Sequence, residues 1–415
     1  MSLTLSAQTF TILHNFSSQD YGPYDPSGGV VLGLQGELYG ATNAGGRWNQ
    51  GTVYELLPAA SAGGAWTEVV LHSFNGPGGG ALGLVVGPNG SLYGIHGINE
   101  TFQLDPPTGT SGDWRYTVIY QFAGVGGVGG GLAFGSPLGY GQSLYGTSGC
   151  PGASMSGDAG CETVYRLTPP PAAGGAWTYT PLYTFPGGSQ GTFVAGSLAV
   201  GAAGTLLGVT ENGGHAGGFC AYLTGCGTVF SLTPPAAAGG PWTEAILHAF
   251  NPGVGDGNRP DAGLVIGPGG VLYGNTLAGG EGFGSCGGVN GGGGGTVFSL
   301  TPPAAAGAPM TETILHEFGV SEGDGCQLAT PLVLGPNGVL YGTTSGGGAG
   351  NQGTVFELTP PASAGGSWTE TILHSFTIGA NGNYASGLTL APDGTLYGTT
   401  GGGTSGVGTV FALTP

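Results

Sequence analysis

"LVLGPNGVLYGTTSGGGAGNQGTVFELTPPASAGGSWTETILHSF" (Leu332 to Phe376) contains four short apolar runs separated by turn chemistry. The runs "LVLG", "LYGTT", "GTVFEL" and "TETILHSF" are rich in β-branched and aromatic residues and bounded by Gly, Pro and Asn. Each reads as a strand, here lettered A to D in chain order. "GPNG" (335 to 338), between A and B, is a tight hairpin turn in which glycine supplies positive φ. No segment of the chain has a helical apolar period of useful length.

Working outward, the last aromatic of the D phrase recurs at Phe16, Phe74, Phe122, Phe185, Phe250, Phe318 and Phe376. The "LYG" phrase recurs at Leu38, Leu92, Leu144, Leu272, Leu340 and Leu396, with "LLG" at 206 to 208 in the remaining slot. Four antiparallel strands repeated about every 50 to 65 residues are the signature of propeller blades, whose small sheets are apolar on both faces. The expected fold is an all-β, seven-bladed β-propeller. The chain opens on a D strand, "TFTILHNF" (9 to 16), and stops on a C strand, "GTVFALTP" (408 to 415). The first strand is therefore expected to complete the C-terminal blade and close the ring. One domain is expected over 8–415, after a residual signal-peptide tail or disordered start at 1–7.

"GVLYGTTSGGGAGNQGTVFELTP" and "GTLYGTTGGGTSGVGTVFALTP", each preceded or followed by a "WTExxLHSF"-type phrase, resemble the Gloeobacter/Verrucomicrobia-type tandem repeat, or GloVer repeat. The likeness runs over nearly all of 8–415 and loosens in units 2 and 3, where "IHGINETFQLDPP" lacks the Gly-rich loop. It implies an exported, often surface-anchored bacterial protein, and it brings no catalytic residue with it.

Composition narrows the partners. The chain of 415 residues has 22 acidic side chains against four arginines, Arg47, Arg115, Arg166 and Arg259, and no lysine. Phosphate backbones and anionic membrane surfaces are poor partners for such a chain. The missing lysine excludes a Walker-A loop, a Schiff base and a Ser-Lys dyad. No apolar stretch approaches the ~20 residues that span a membrane. Six cysteines suggest an oxidising compartment, so an extracellular or cell-surface location and a monomer are expected. Loop topology pairs Cys150 with Cys161, Cys220 with Cys226, and Cys286 with Cys326.

In an up-and-down blade the B–C and D–A loops share one side, and here that side varies while the A–B and C–D turns repeat the same chemistry. Variable loops on a fixed scaffold are where function concentrates. The expected ligand contacts are Trp48, Glu211, His215, Tyr222, Asp256, Arg259, Asp261 and Glu281, with Phe219 and Phe283 beside them. Trp48, flanked by Arg47 and Asn49, is a stacking plane next to hydrogen-bond donors. Further carboxylates on that side are Asp20, Asp25, Asp158, Glu322 and Asp324.

Other conspicuous residues read as architecture. His14, His72, His248, His316 and His374 share one D-strand slot, which Tyr120 and Tyr183 fill elsewhere. The "LYG" tyrosines and the tryptophans opening D strands are expected to pack blade on blade. His96 and His215 have no Cys or His at metal-ligand spacing, so no metal ligand is assigned. "DGNRPD" (256 to 261) is oxygen-rich without the EF-hand pattern, which makes calcium the one cofactor left open. No G-x-S-x-G elbow or Ser/His/Asp set stands out.

The resulting expectation is a non-catalytic binding module for a glycan or partner protein. Its alternatives are a glycoside hydrolase or polysaccharide lyase using carboxylates, and a structural cell-envelope protein. Enzymatic activity is the less favoured reading, and fold alone does not decide among the three.

Overall fold

The computed structural model describes residues 8–61, 63–76, 79–97, 99–109, 112–122, 128–135, 142–149, 162–172, 174–217, 220, 225–237, 239–251, 255–281, 293–303, 309–321, 323–328, 330–363, 365–379, 382–403 and 406–415. Among them the elements are strands and short 3-10 turns, with no α-helix. Seven four-stranded antiparallel sheets, each with strand order A-B-C-D, make this the expected all-β, seven-bladed β-propeller. In blades 5 and 6 strand A shortens to two residues, Val265–Ile266 and Val333–Leu334, with a separate two-residue pairing beyond each.

The described residues fall into two compact units. One holds blades 1, 6 and 7; the other holds blades 3, 4 and 5 and most of blade 2. In the first unit, Thr9–Asn15 pairs antiparallel with Thr409–Thr414, Thr9 opposite Thr414 and Phe10 opposite Leu413. The N-terminal strand thus supplies the D strand of the C-terminal blade, as its phrase predicts.

The repeated motifs have local causes. The glycine of "LYG" faces the C-strand aromatic across the ladder: Gly274 is opposite Phe298, and a Cβ on it would lie 2.5 Å from Phe298 Cζ. The glycine is the space into which that ring folds. The last Thr of "LYGTT" meets the Thr of "GTVF" through buried hydroxyls, as in Thr276 with Thr296 at 2.9 Å and Thr344 with Thr354 at 2.9 Å. These contacts fix the B–C register, because a one-residue slip would carry every side chain to the other face.

The core lies between successive sheets. Phe185 and Tyr145 of blade 3 pack against Leu198, Leu206 and Phe230 of blade 4. Phe16 and Val410 of blade 7 pack against Val30, Leu38 and Tyr54 of blade 1. The D-strand Phe16, Phe74, Phe185, Phe250, Phe318 and Phe376 are fully buried. The tyrosine–tryptophan expectation holds in both units: Tyr93 meets Trp177 of the next blade at 5.8 Å between centroids, and Tyr397 meets Trp66 at 6.1 Å. Neighbouring A strands approach backbone to backbone, so that a Cβ on Gly196 would lie 2.2 Å from Gly263 N. Glycine is required at that approach.

Candidate functional site

The shared histidine slot belongs to a latch between successive D strands. His14 Nε2 lies 2.7 Å from Glu68 Oε2. Tyr183, in the same slot, donates its hydroxyl to Glu244 Oε2 at 2.6 Å. Where the acid is replaced by an aromatic residue, the pair becomes a ring stack, as in Tyr120 on Tyr179 at 4.8 Å with planes 12° apart. The architectural reading of the slot stands. Sequence reasoning missed the partner, although its signal is plain: a Glu stands four residues before the His in these D strands, and the β-bulge between them turns the two side chains toward opposite neighbours, Glu244 to Tyr183 and His248 to Glu312.

The latch of His248 with Glu312 has a third member, Asp256. His248 Nε2 lies 3.4 Å from Glu312 Oε2 and 3.9 Å from Asp256 Oδ1. Asp256 is held by the backbone N–H groups of Gly257 at 2.8 Å and Asn251 at 2.9 Å. Burial alone would lower the His248 pKa, but the Asp256 and Glu312 carboxylates outweigh it and hold the imidazole above its usual value. Burial pushes the Glu312 carboxyl up to about 7, against the opposing pull of His248.

At the opposite edge of the blades, where strand A begins, one backbone position is left-handed in every blade described there. Asp25 (φ 58°), Gly79 (81°), Phe193 (57°), Arg259 (55°), Gln327 (63°) and Tyr384 (51°) occupy it. Three neighbours align the slot: Pro26, Pro260 and Leu328, each one residue on, abut Gly408, Gly227 and Gly295, the glycines of the "GTVF"-type phrases. The left-handed N–H groups of Asp25, Arg259, Gln327 and Tyr384 reach back to the preceding blade's B–C connection, as from Arg259 to Cys226 O at 2.9 Å and from Tyr384 to Gln352 O at 3.1 Å. A left-handed non-glycine residue costs roughly 1–2 kcal/mol, and bulky ones are outliers. The slot in blade 3 falls outside the described residues.

In the second unit Arg259 brings three expected residues together. Its Nη2 lies 3.4 Å from Glu211 Oε2, and Asp261 shares the Glu211 carboxyl through a side-chain hydrogen bond. Burial first and Asp261 second push Glu211 up to about 7, with Arg259 opposing. The adjoining loop is closed by the expected Cys220–Cys226 disulfide. His215 accepts the Cys226 N–H with its carbonyl at 3.1 Å and leaves its side chain exposed.

The remaining expected residues scatter. Asp256 joins His248 and Asp261 joins Glu211, so the two ends of "DGNRPD" take different partners. Glu281 is exposed, with its N–H donated to Glu317 Oε2 at 2.9 Å. Cys326 is disulfide-bonded. Tyr222, Phe219, Phe283, Asp158, Glu322, Cys150, Cys161 and Cys286 lie outside the described residues.

In the first unit Trp48 is 48% exposed, with the Arg47 guanidinium 5.1 Å from its ring. Asn49 is engaged, accepting from Tyr24 Oη at 2.8 Å and Gly45 N at 3.0 Å. A cleft of about 490 Å³ opens there between Asp20, Tyr21, Tyr24 and Asn49. The C–D side is less bare than its composition suggests: a cleft of about 600 Å³ in the second unit is lined by Arg166, Leu182, Pro234 and Trp242.

Fold and site together define the class: a β-propeller with a chemically varied loop edge. Residues 282–415 match the Gloeobacter/Verrucomicrobia repeat, which bears out over that segment the resemblance read from its motifs. No curated protein matches the chain. Among solved structures it is similar to the WD40 β-propeller domain of Doa1 (TM-score 0.51, 12% identity, 97% of this chain and 96% of that one). A chain of a mitotic checkpoint complex gives TM-score 0.50 and 14% identity over 97% and 92%. A putative oxidoreductase (glucose dehydrogenase) of Thermus thermophilus gives 0.46 and 19% over 80% and 95%. At these identities the likeness is one of fold. Among the described residues no helix is long and apolar enough to cross a membrane. The Cys220–Cys226 disulfide is consistent with an exported protein.

Proposed function

We propose that this protein is an exported binding module that recognises a neutral or cationic glycan, or a partner protein, through its B–C and D–A loops without transforming it. The left-handed slot carries this reading. Its backbone is the same in six described blades, yet its side chains are Asp, Gly, Phe, Arg, Gln and Tyr. Gly79 and, less strongly, Asp25 are residues that this conformation favours, whereas Phe193, Arg259, Gln327 and Tyr384 are not. Strain kept at one place while the chemistry changes supports a surface selected for what it presents. The excess of 22 acidic residues over four arginines disfavours polyanionic ligands.

A second reading, a carbohydrate-active enzyme, draws on one observation: Glu211, with its carboxyl near 7, beside Asp261. A carboxyl that still holds its proton near neutral pH, with a second carboxyl group beside it, is what general acid catalysis needs. Arg259 engages the same carboxylate, which favours the binding reading. A glycan array with the wild-type protein and with Arg259→Gly, Phe193→Gly and Tyr384→Gly tests the proposal. Retained fold with lost glycan binding is expected. Release of sugar from a polysaccharide panel, abolished by Glu211→Gln, would establish the enzyme instead.

A further inference from the structure

We propose that His248, Asp256 and Glu312 form a site for one divalent metal ion of the zinc class. The donors come from three places: the D strand of blade 4 (Thr243–Ala249), the loop that follows it, and the D strand of blade 5 (Thr311–Glu317). One ligand atom from each lies within 4.8 Å of the other two. Zinc bonds to His nitrogen and carboxylate oxygen are about 2.0–2.2 Å long, which places neighbouring donors roughly 3 to 3.5 Å apart. The His248–Glu312 separation of 3.4 Å already fits that spacing, and Asp256 at 3.9 Å needs only a small side-chain adjustment.

The chain supplies its own controls. In the two-member latches the groups are in direct contact, 2.7 Å for His14 with Glu68 and 2.6 Å for Tyr183 with Glu244. Where Asp256 adds a second carboxylate, the same kind of His and Glu stand farther apart, at 3.4 Å, and the three ligand atoms lie within 4.8 Å of one another. The backbone N–H groups of Gly257 and Asn251 orient Asp256, the kind of outer support that positions metal ligands. Each of the three side chains is less than one-fifth exposed.

Two carboxyl groups and one imidazole meet where each side chain is less than one-fifth exposed. The chain has no lysine to compete for these donors, and Arg259 is engaged with Glu211. An imidazole donor with carboxylates favours zinc-class ions; calcium takes six to eight oxygens and is poorly served by this set. The simpler occupant is a proton on His248, giving a three-group ion cluster without metal.

Equilibrium dialysis of the chelator-stripped full chain against Zn²⁺, with metal counted by mass spectrometry, separates the two. Asp256→Asn and His248→Gln are each expected to lower bound Zn²⁺ by about one equivalent and to lose the corresponding d–d absorption after Co²⁺ substitution. His14→Gln, which breaks a latch lacking the third carboxylate, is expected to leave zinc content unchanged. Wild-type zinc content in Asp256→Asn and His248→Gln, or an equal loss in His14→Gln, overturns the proposal. Displacement of the bound zinc by a tenfold excess of Ca²⁺ overturns the assignment of metal class. If one variant fails to fold by circular dichroism, Glu312→Gln takes its place with the same expected loss.

Discussion

Phe10 lies flat on His374, ring centroids 3.7 Å apart and planes within 4°. Phe10 fills the latch position that Glu68, Glu244 and Glu312 hold in other blades, so the first strand of the chain is both hydrogen-bonded into one sheet and stacked on the sheet before it. Phe10→Ala removes a large part-buried ring and is expected to cost about 2–3 kcal/mol. Phe10→Glu recreates the ion pair of its sister latches and should recover part of that loss. Urea denaturation of the two variants measures the difference, and equal stabilities would contradict the latch.

Cys220 and Cys226 are both buried within a hydrophobic cluster that includes Val229, Phe250 and Leu264. Their short loop predicts a stabilisation of about 2 kcal/mol on the chain-entropy model. The double Cys→Ser variant should lower Tm accordingly and show faster proteolysis between residues 215 and 226. Non-reducing peptide mapping checks the bond directly, and it should also find Cys326 linked to Cys286.

Gly274→Ala is expected to destabilise by about 1–3 kcal/mol through overpacking against Phe298. Phe298→Leu alone should cost less than the alanine variant if the ring fills the glycine's space, and combining the two should be better than additive. A double-mutant cycle in denaturant reads this out. Strict additivity would mean that the two residues do not meet.

Glu211 gives stability a pH dependence of definite sign. Its folded carboxyl ionises at about 7, against an ordinary value of 4.5, so its contribution is complete below 4.5 and is lost as pH rises through 7. Glu211→Gln mimics the protonated acid. Relative to wild type it should be near-neutral at about pH 4.5 and stabilising by about 1–2 kcal/mol at about pH 8, after allowance for partial exposure. Parallel melting curves across that range test it, and a difference independent of pH would place the shift elsewhere.

The blades were legible in the sequence because each strand phrase has a local cause that repeats, such as the glycine under Phe298 and the hydroxyl pair Thr276 with Thr296. The left-handed slot was not, because Asp25, Phe193, Arg259, Gln327 and Tyr384 share a backbone angle and no side-chain property. Gly79, in the same register, was the only hint. The cluster of His248, Asp256 and Glu312 escaped for a different reason. Ligand spacing within one strand or loop cannot reveal donors that converge from two blades. Of the expected ligand contacts, Glu211, Arg259 and Asp261 come together because the B strand's end and the next A strand's start are neighbours in the blade topology. Asp256 lies only three residues from Arg259, yet it serves the other edge of the sheet.

The D-strand latches have a polarity. Glu244 faces the blade before it and His248 the blade after it, so a strand of this kind offers an acid on one side and a base on the other. A copy of such a blade would find itself a compatible neighbour, joining head to tail. Junctions whose latches are aromatic, as at Tyr120 with Tyr179 and Phe10 with His374, stack two rings in place of the ion pair. The order of the blades is thus written in which ring or charge each one turns toward the next.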